Sequence, residues 1–186
     1  MAGIRPEGLQ KLTVQEATNA SLKRVIKVQP TITLDDNDDN HVAFNWTEIP
    51  NASLGKGTAV KLNSIFILNG NDIKDVVELV FCKGSDDDGT APTAAQQLGA
   101  GSAVVDITAA EAQAVEICGH VNIVDGDYSE GDLLTARIGQ KTDIGLIMSP
   151  KPNATSLYVG GIWRYEPADA SAYSTGVLDI YFGFEG

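Results

Sequence analysis

A chain of 186 residues, 43% of them hydrophobic, can form one domain that buries a sizeable core without metal or disulfide staples. Its formal charge of −12 divides unevenly: residues 1–27 hold five basic groups against two acidic, and the rest hold eight against 23, so a basic arm of net +3 precedes a body of net −15. Such a body repels nucleic acid, and no run approaches the roughly 20 apolar residues of a membrane span, so neither nucleic acid nor membrane is expected as a partner. Met1–Gln10 lacks the apolar core of a signal peptide, which points to synthesis in a cytoplasm.

From the N-terminus, Met1–Gly8 reads as an extended tail around Pro6. Thr13-Val-Gln-Glu16 has the form of a capping box for a short helix, with Val14, Ala17, Leu22 and Val25 on one face. A first strand follows at Val25, Ile26, Val28, Ile32 and Leu34, confined to an edge or a bulge by Pro30. The expected division is an arm over residues 1–24 and a sandwich over 25–186. Asp35, Asn37 and Asp39 have the alternate spacing of calcium ligands, but a calcium loop starting there would need Gly and Glu where Asn40 and Trp46 stand, so a solvated turn is expected. Val42, Phe44 and Trp46 then alternate as a half-buried strand.

The stretch from Gly57 to Gly84 is the expected centre of the fold. Val60, Leu62, Ser64, Phe66 and Leu68 fall on one strand face; the other begins polar at Lys61 and Asn63 and turns apolar at Ile65 and Ile67, so the first face is expected to be buried throughout and the second only towards the loop. Asn69-Gly70 supplies turn residues, and Val76–Cys82 reads as the return strand of a β-hairpin. Ile73, Val76, Val77, Val80 and Phe81 also keep helical spacing; the density of β-branched residues favours strand. The segment 84–104 exceeds the usual connection length, so it is either functional or draped over a neighbour. Thr108 as N-cap, Glu111 three residues on and Gly119 as terminator predict a helix over Thr108–Cys118. Strands are expected again at His120–Val124, Leu133–Ile138, Ile144–Met148, Leu157–Tyr165 and Val177–Phe184. Eight or nine strands with one inserted helix predict an all-β antiparallel sandwich of jelly-roll type.

A search for chemistry returns little. No Gly-x-Ser-x-Gly elbow occurs, and two histidines with two distant cysteines lack zinc spacing, so no catalytic residue, cofactor or metal is expected. Cys82 and Cys118 read as buried thiols, with a disulfide left open. Tyr158, Trp163, Tyr165, Tyr173 and Tyr181 allow a sugar-stacking face, and 25 acidic residues always permit some carboxylate pair, so a carbohydrate-binding sandwich and a hydrolase stay open.

Val76-Val-Glu-Leu-Val-Phe-Cys-Lys-Gly84, the acidic loop after it, Asp106–Ile123, Thr155–Ile162 and Thr175–Phe184 together resemble a group of small jelly-roll structural proteins of tailed bacteriophages. The resemblance covers about residues 57–186 and implies a non-enzymatic head decoration or cement protein on the capsid surface, assembled in the host cytoplasm with the major capsid protein as partner. Carbohydrate binding on a phage tail or fibre is the alternative it leaves. Clamping on the shell is expected to use the arm residues Ile4, Arg5, Leu9, Lys11, Leu12, Val14, Lys23 and Arg24, with a homo-oligomer, a trimer, as the functional unit.

Overall fold

The computed structural model describes residues 23–32, 40–70, 76–100, 103–129, 136–164 and 178–186. Nine strands follow in chain order among these residues: β1 (Lys23–Val28), β2 (Val42–Ile49), β3 (Val60–Asn69), β4 (Val77–Cys82), β5 (Ile117–Ile123), β6 (Arg137–Lys141), β7 (Leu146–Met148), β8 (Leu157–Trp163) and β9 (Leu178–Glu185), with one helix, α1 (Ala109–Ala114). Every strand pairing is antiparallel. One sheet has the order β1-β9-β3-β6 with β7 also on β3, and the other the order β2-β8-β4-β5. Because β6 takes Ile65–Asn69 of β3 and β7 takes Val60–Leu62, the two are halves of one interrupted neighbour. The strand orders 1-9-3-6 and 2-8-4-5 are then those of a jelly roll. The all-β sandwich expected from the spacing of short strands is what the chain forms.

The inner faces of the sheets share one core, in which Leu62, Ile65 and Phe182 of the first meet Phe44, Leu79 and Trp163 of the second. Phe81 and Phe182 pack edge to face across the layers with centroids 5.8 Å apart. In β9 the pattern is regular: Leu178, Ile180, Phe182 and Phe184 are buried and the residues between them half-exposed, the period-two signature of a sheet covered on one side.

Three expectations for the centre of the chain need correction. First, β3 does not bury one face throughout. A bulge between Leu62 and Ser64, opposite Phe184 and Gly183, changes the side on which successive residues fall, so Val60 and Leu62 point inward before it and Ile65 and Ile67 after it. Second, β3 and β4 do not form a hairpin: β3 lies in the first sheet and β4 in the second, where β4 pairs with β5 and β8. Third, α1 ends before Cys118. Glu116 takes a left-handed backbone with φ of 52°, and Ile117 already begins β5, so Gly119 is a strand residue paired with Phe81 and not the helix terminator. The N-terminal half of the helix is as expected, with Thr108 as N-cap and Glu111 closing the capping box.

The long segment between β4 and β5 is draped over its own domain. Leu98 packs with Val42, Val80 and Ile162 on the outer face of the second sheet, and Val115 packs there with Cys82 and Tyr158. Polar pegs fix this roof: Trp46 Nε1 donates to the Gln96 carbonyl at 2.7 Å, Asn45 accepts from Leu98 N at 2.9 Å and donates to the Gly99 carbonyl at 3.0 Å, and the Tyr158 hydroxyl donates to the Gly89 carbonyl at 2.8 Å. Covered on both faces, β8 is buried at every residue. Its Gly160-Gly161 pair marks the thinnest point. A Cβ on Gly160 would lie 2.5 Å from Leu98 Cδ1 in the roof, and one on Gly161 would lie 2.3 Å from Phe44 Cε1.

Candidate interaction surface

With the second sheet roofed, the outer face of the first sheet is the open one. Strand registers lay its side chains out in rows. Lys23, Glu185, Lys61 and Ile147 form one row across β1, β9, β3 and β7. Glu185 is shared there by Lys23 at 3.2 Å and Lys61 at 3.9 Å. The next row is Val25, Gly183 and Ser64; a Cβ on Gly183 would fall 2.2 Å from Ser64 Oγ, so a side chain there would force the Ser64 hydroxyl to turn away. A third row holds Lys27, Tyr181, Phe66 and Gln140. There Phe66 and Tyr181 pack edge to face at 5.5 Å, and Lys27 Nζ stands 5.7 Å from the Tyr181 centroid and 2.8 Å from Asp179. Leu68 and Ile138 continue the face, both half-buried. Val25 and Ile147, 70% and 69% exposed, are the most exposed large hydrophobic residues among those described, and both stand here.

Of the residues assigned to an interaction arm, Ile4, Arg5, Leu9, Lys11, Leu12 and Val14 lie outside the described residues. Lys23 and Arg24 belong to β1 itself, where Lys23 pairs with Glu185, and Arg24 donates to the carbonyls of Asn51 at 2.5 Å and Ala52 at 2.7 Å, tying the edge strand to the loop after β2. Sequence reasoning missed the face because its members are spread from Val25 to Glu185 and meet only through sheet pairing.

Two of the clefts are mainly polar. One of about 530 Å³ lies between β2, the roof and α1, lined by Asn45, Gln97, Asp106, Thr108 and Glu111 among others. Glu111 is held below the usual carboxylate range by the bonds its Oε2 accepts from Thr108 N at 2.8 Å and Thr108 Oγ1 at 2.7 Å. A catalytic acid needs the opposite shift, so Glu111 is built as a cap. A second cleft of about 500 Å³ surrounds Lys56, Lys83, Asp87, Glu116 and Lys151. Glu116 receives Lys151 Nζ at 2.7 Å and Lys83 Nζ at 2.8 Å, and these bonds pull its carboxyl down to about 2. The left-handed Glu116 is thereby fixed to the end of β4 and to the loop before β8.

This knot has a pH signature. A carboxyl whose folded value is depressed from 4.5 to about 2 contributes stability that is complete above pH 4.5 and is lost as pH falls towards 2. Glu116→Gln should therefore flatten the acid limb of a plot of urea midpoint against pH. Lys151 is buried, so the variant strands a cation; because the carboxylate side chain is 45% exposed, solvent screening limits the loss at neutral pH to about 1 kcal/mol. An acid limb unchanged by the substitution would contradict the assignment.

No protein-family model matches the chain, and no curated protein matches it. Among the described residues no group of three or more His, Cys, Asp or Glu is placed to hold a metal ion, and no helix is long and apolar enough to cross a membrane. Cys82 and Cys118 are both free thiols, raised by burial to about 12 and about 11. The late aromatics do not share one face: Tyr158 lies under the roof, Trp163 in the core and Tyr181 on the open face, while Tyr165 and Tyr173 fall outside the described residues.

Proposed function

We propose that the protein is a non-enzymatic structural component of a tailed-phage virion, bound as a homo-oligomer to the outer surface of the head through the major capsid protein. The observation that carries this reading is the asymmetry of the sandwich. One sheet is covered by the chain's own β4–β5 segment, and the other presents an exposed outer face on which apolar residues alternate with ion pairs. An exposed sheet face of mixed apolar and charged rows suits contact with a large protein surface better than capture of a small molecule, which calls for a concave apolar pocket. The resemblance of residues 57–186 to jelly-roll virion proteins supplies the kind of large surface; jelly rolls serve many functions, so the fold alone does not.

The N-terminal segment is the second contact in this reading, with Ile4, Leu9, Leu12 and Val14 as its apolar anchors. Deleting residues 1–22 should leave a sandwich with an unchanged cooperative melt, because the described fold begins at Lys23, while occupancy on heads after gradient centrifugation falls steeply. A truncated protein that decorated heads at full occupancy would remove the arm from the mechanism.

A further inference from the structure

The charge of the chain is sorted between its two sheets. Strands β1, β3, β6 and β9 carry Lys23, Arg24, Lys27, Lys61, Arg137 and Lys141 against only Asp179 and Glu185, a net of +4. Arg24, Arg137 and Lys141 stand opposite the buried Phe184, Asn69 and Ile65 on the core side, so the outer face itself holds Lys23, Lys27 and Lys61 against Asp179 and Glu185, a net of +1. Strands β2, β4, β5 and β8 carry only Glu48 and Glu78, a net of −2, within a chain of −12. On the open face one carboxylate, Glu185, serves both Lys23 and Lys61, so that row holds a cation in excess, and it ends at the exposed Ile147. The most basic sheet of an acidic protein is thus also the one whose outer face carries its two most exposed hydrophobic side chains.

We infer that the outer face of the β1-β9-β3-β6/β7 sheet docks onto an acidic, apolar-centred protein surface, with Val25 and Ile147 as anchors and Lys23, Lys27 and Lys61 as the charged surround. The inference rests on the shell-binding reading and assigns it a face and a partner chemistry. Charge complementarity selects the occupant. A second copy meeting this face with its own would set one net-positive face against another, which costs affinity. A nucleic acid would match the lysines but would meet a chain of net charge −12 on approach, and would gain nothing from Val25 or Ile147. An acidic protein surface satisfies both the cations and the hydrophobic residues.

The test uses the full-length chain and heads prepared from phage lacking its gene. Val25→Asp and Ile147→Asp each place a carboxylate where an apolar anchor faces acidic groups; Leu54→Asp and Val104→Asp change residues of comparable exposure, 53% and 56%, away from this face. Each face variant is expected to lower head occupancy about tenfold, as loss of an interface anchor does, while both controls bind as wild type. Lys61→Glu, a charge reversal at an exposed position that leaves the core untouched, should also weaken binding, and wild-type occupancy should fall as salt is raised. If wild type failed to bind heads, the shell reading and this inference would fall together. Wild-type binding with Val25→Asp and Ile147→Asp binding equally well, or with the controls losing as much, would overturn the inference and leave the shell reading standing. Tight binding of a short duplex DNA that Lys61→Glu abolishes would replace the acidic protein with nucleic acid and overturn it as well.

Discussion

Gly161→Val should prevent the chain from reaching its native fold, and Gly161→Ala should lower its stability by about 3 kcal/mol, the upper end of the cost of overpacking a core. Gly161 lies in β8 between its partners Phe44 on β2 and Leu79 on β4. An added Cβ would stand 2.3 Å from Phe44 Cε1 and 2.7 Å from Cδ1, and the Phe44 ring is fully buried, so it has no free volume into which to turn. The roof held against Gly160 stops the strand from retreating outward. Urea unfolding reads the effect. Adding Phe44→Leu to Gly161→Ala should restore part of the loss, giving a non-additive double-mutant cycle. A Gly161→Ala protein with an unshifted midpoint would contradict the packing described for β8.

Leu98→Ala should cost about 2–5 kcal/mol, the range for removing a buried leucine, and should open the roof before the sandwich unfolds. Leu98 is 1% exposed and is the roof residue that meets Val42, Val80 and Ile162 together. Trp46 and Ile107 connect it to the neighbouring cluster around Cys82, whose thiol burial raises to about 12. In the native protein Cys82 should therefore resist alkylation at pH 8, since the thiolate is the nucleophile. In Leu98→Ala it should react at denaturant concentrations below the global midpoint, as read by mass spectrometry. Labelling that followed global unfolding in both proteins would show the roof and sandwich to be one cooperative unit.

What could be read from the sequence follows from how far each determinant acts. The alternation of β9 is a local consequence of burying one face, and Leu178–Glu185 displayed it directly. The capping box of α1 is equally local, but its end is not: Glu116 occupies its left-handed backbone bonded to Lys83 and Lys151, each more than 30 residues away, whereas Gly119, the local candidate for a terminator, sits in β5 where a Cβ would strike Leu146. The bulge in β3 left a trace, since one of its faces turned from polar to apolar at Ile65, but its position depends on Gly183 and Ser64 meeting across two strands. Asn69-Gly70 signalled a reversal of the chain without saying in which sheet the next strand would pair. The length of the 84–104 segment signalled a task, and the roof supplies it within the domain, so that length gives no support to contacts between subunits. The open face was the least legible feature, because Val25 and Ile147 come together only through β9 and β3.

The proposed function makes this sandwich a fixed part of a phage head. If the proposal holds, particles of the encoding phage, purified through a density gradient and digested, allow the chain and the major shell protein to be counted in the same sample by mass spectrometry with isotope-labelled standards. The expected result is a stable ratio of this chain to the shell protein that survives repeated banding, as required of a subunit that repeats with the lattice. Absence from banded particles, or only a few copies per virion, would contradict it.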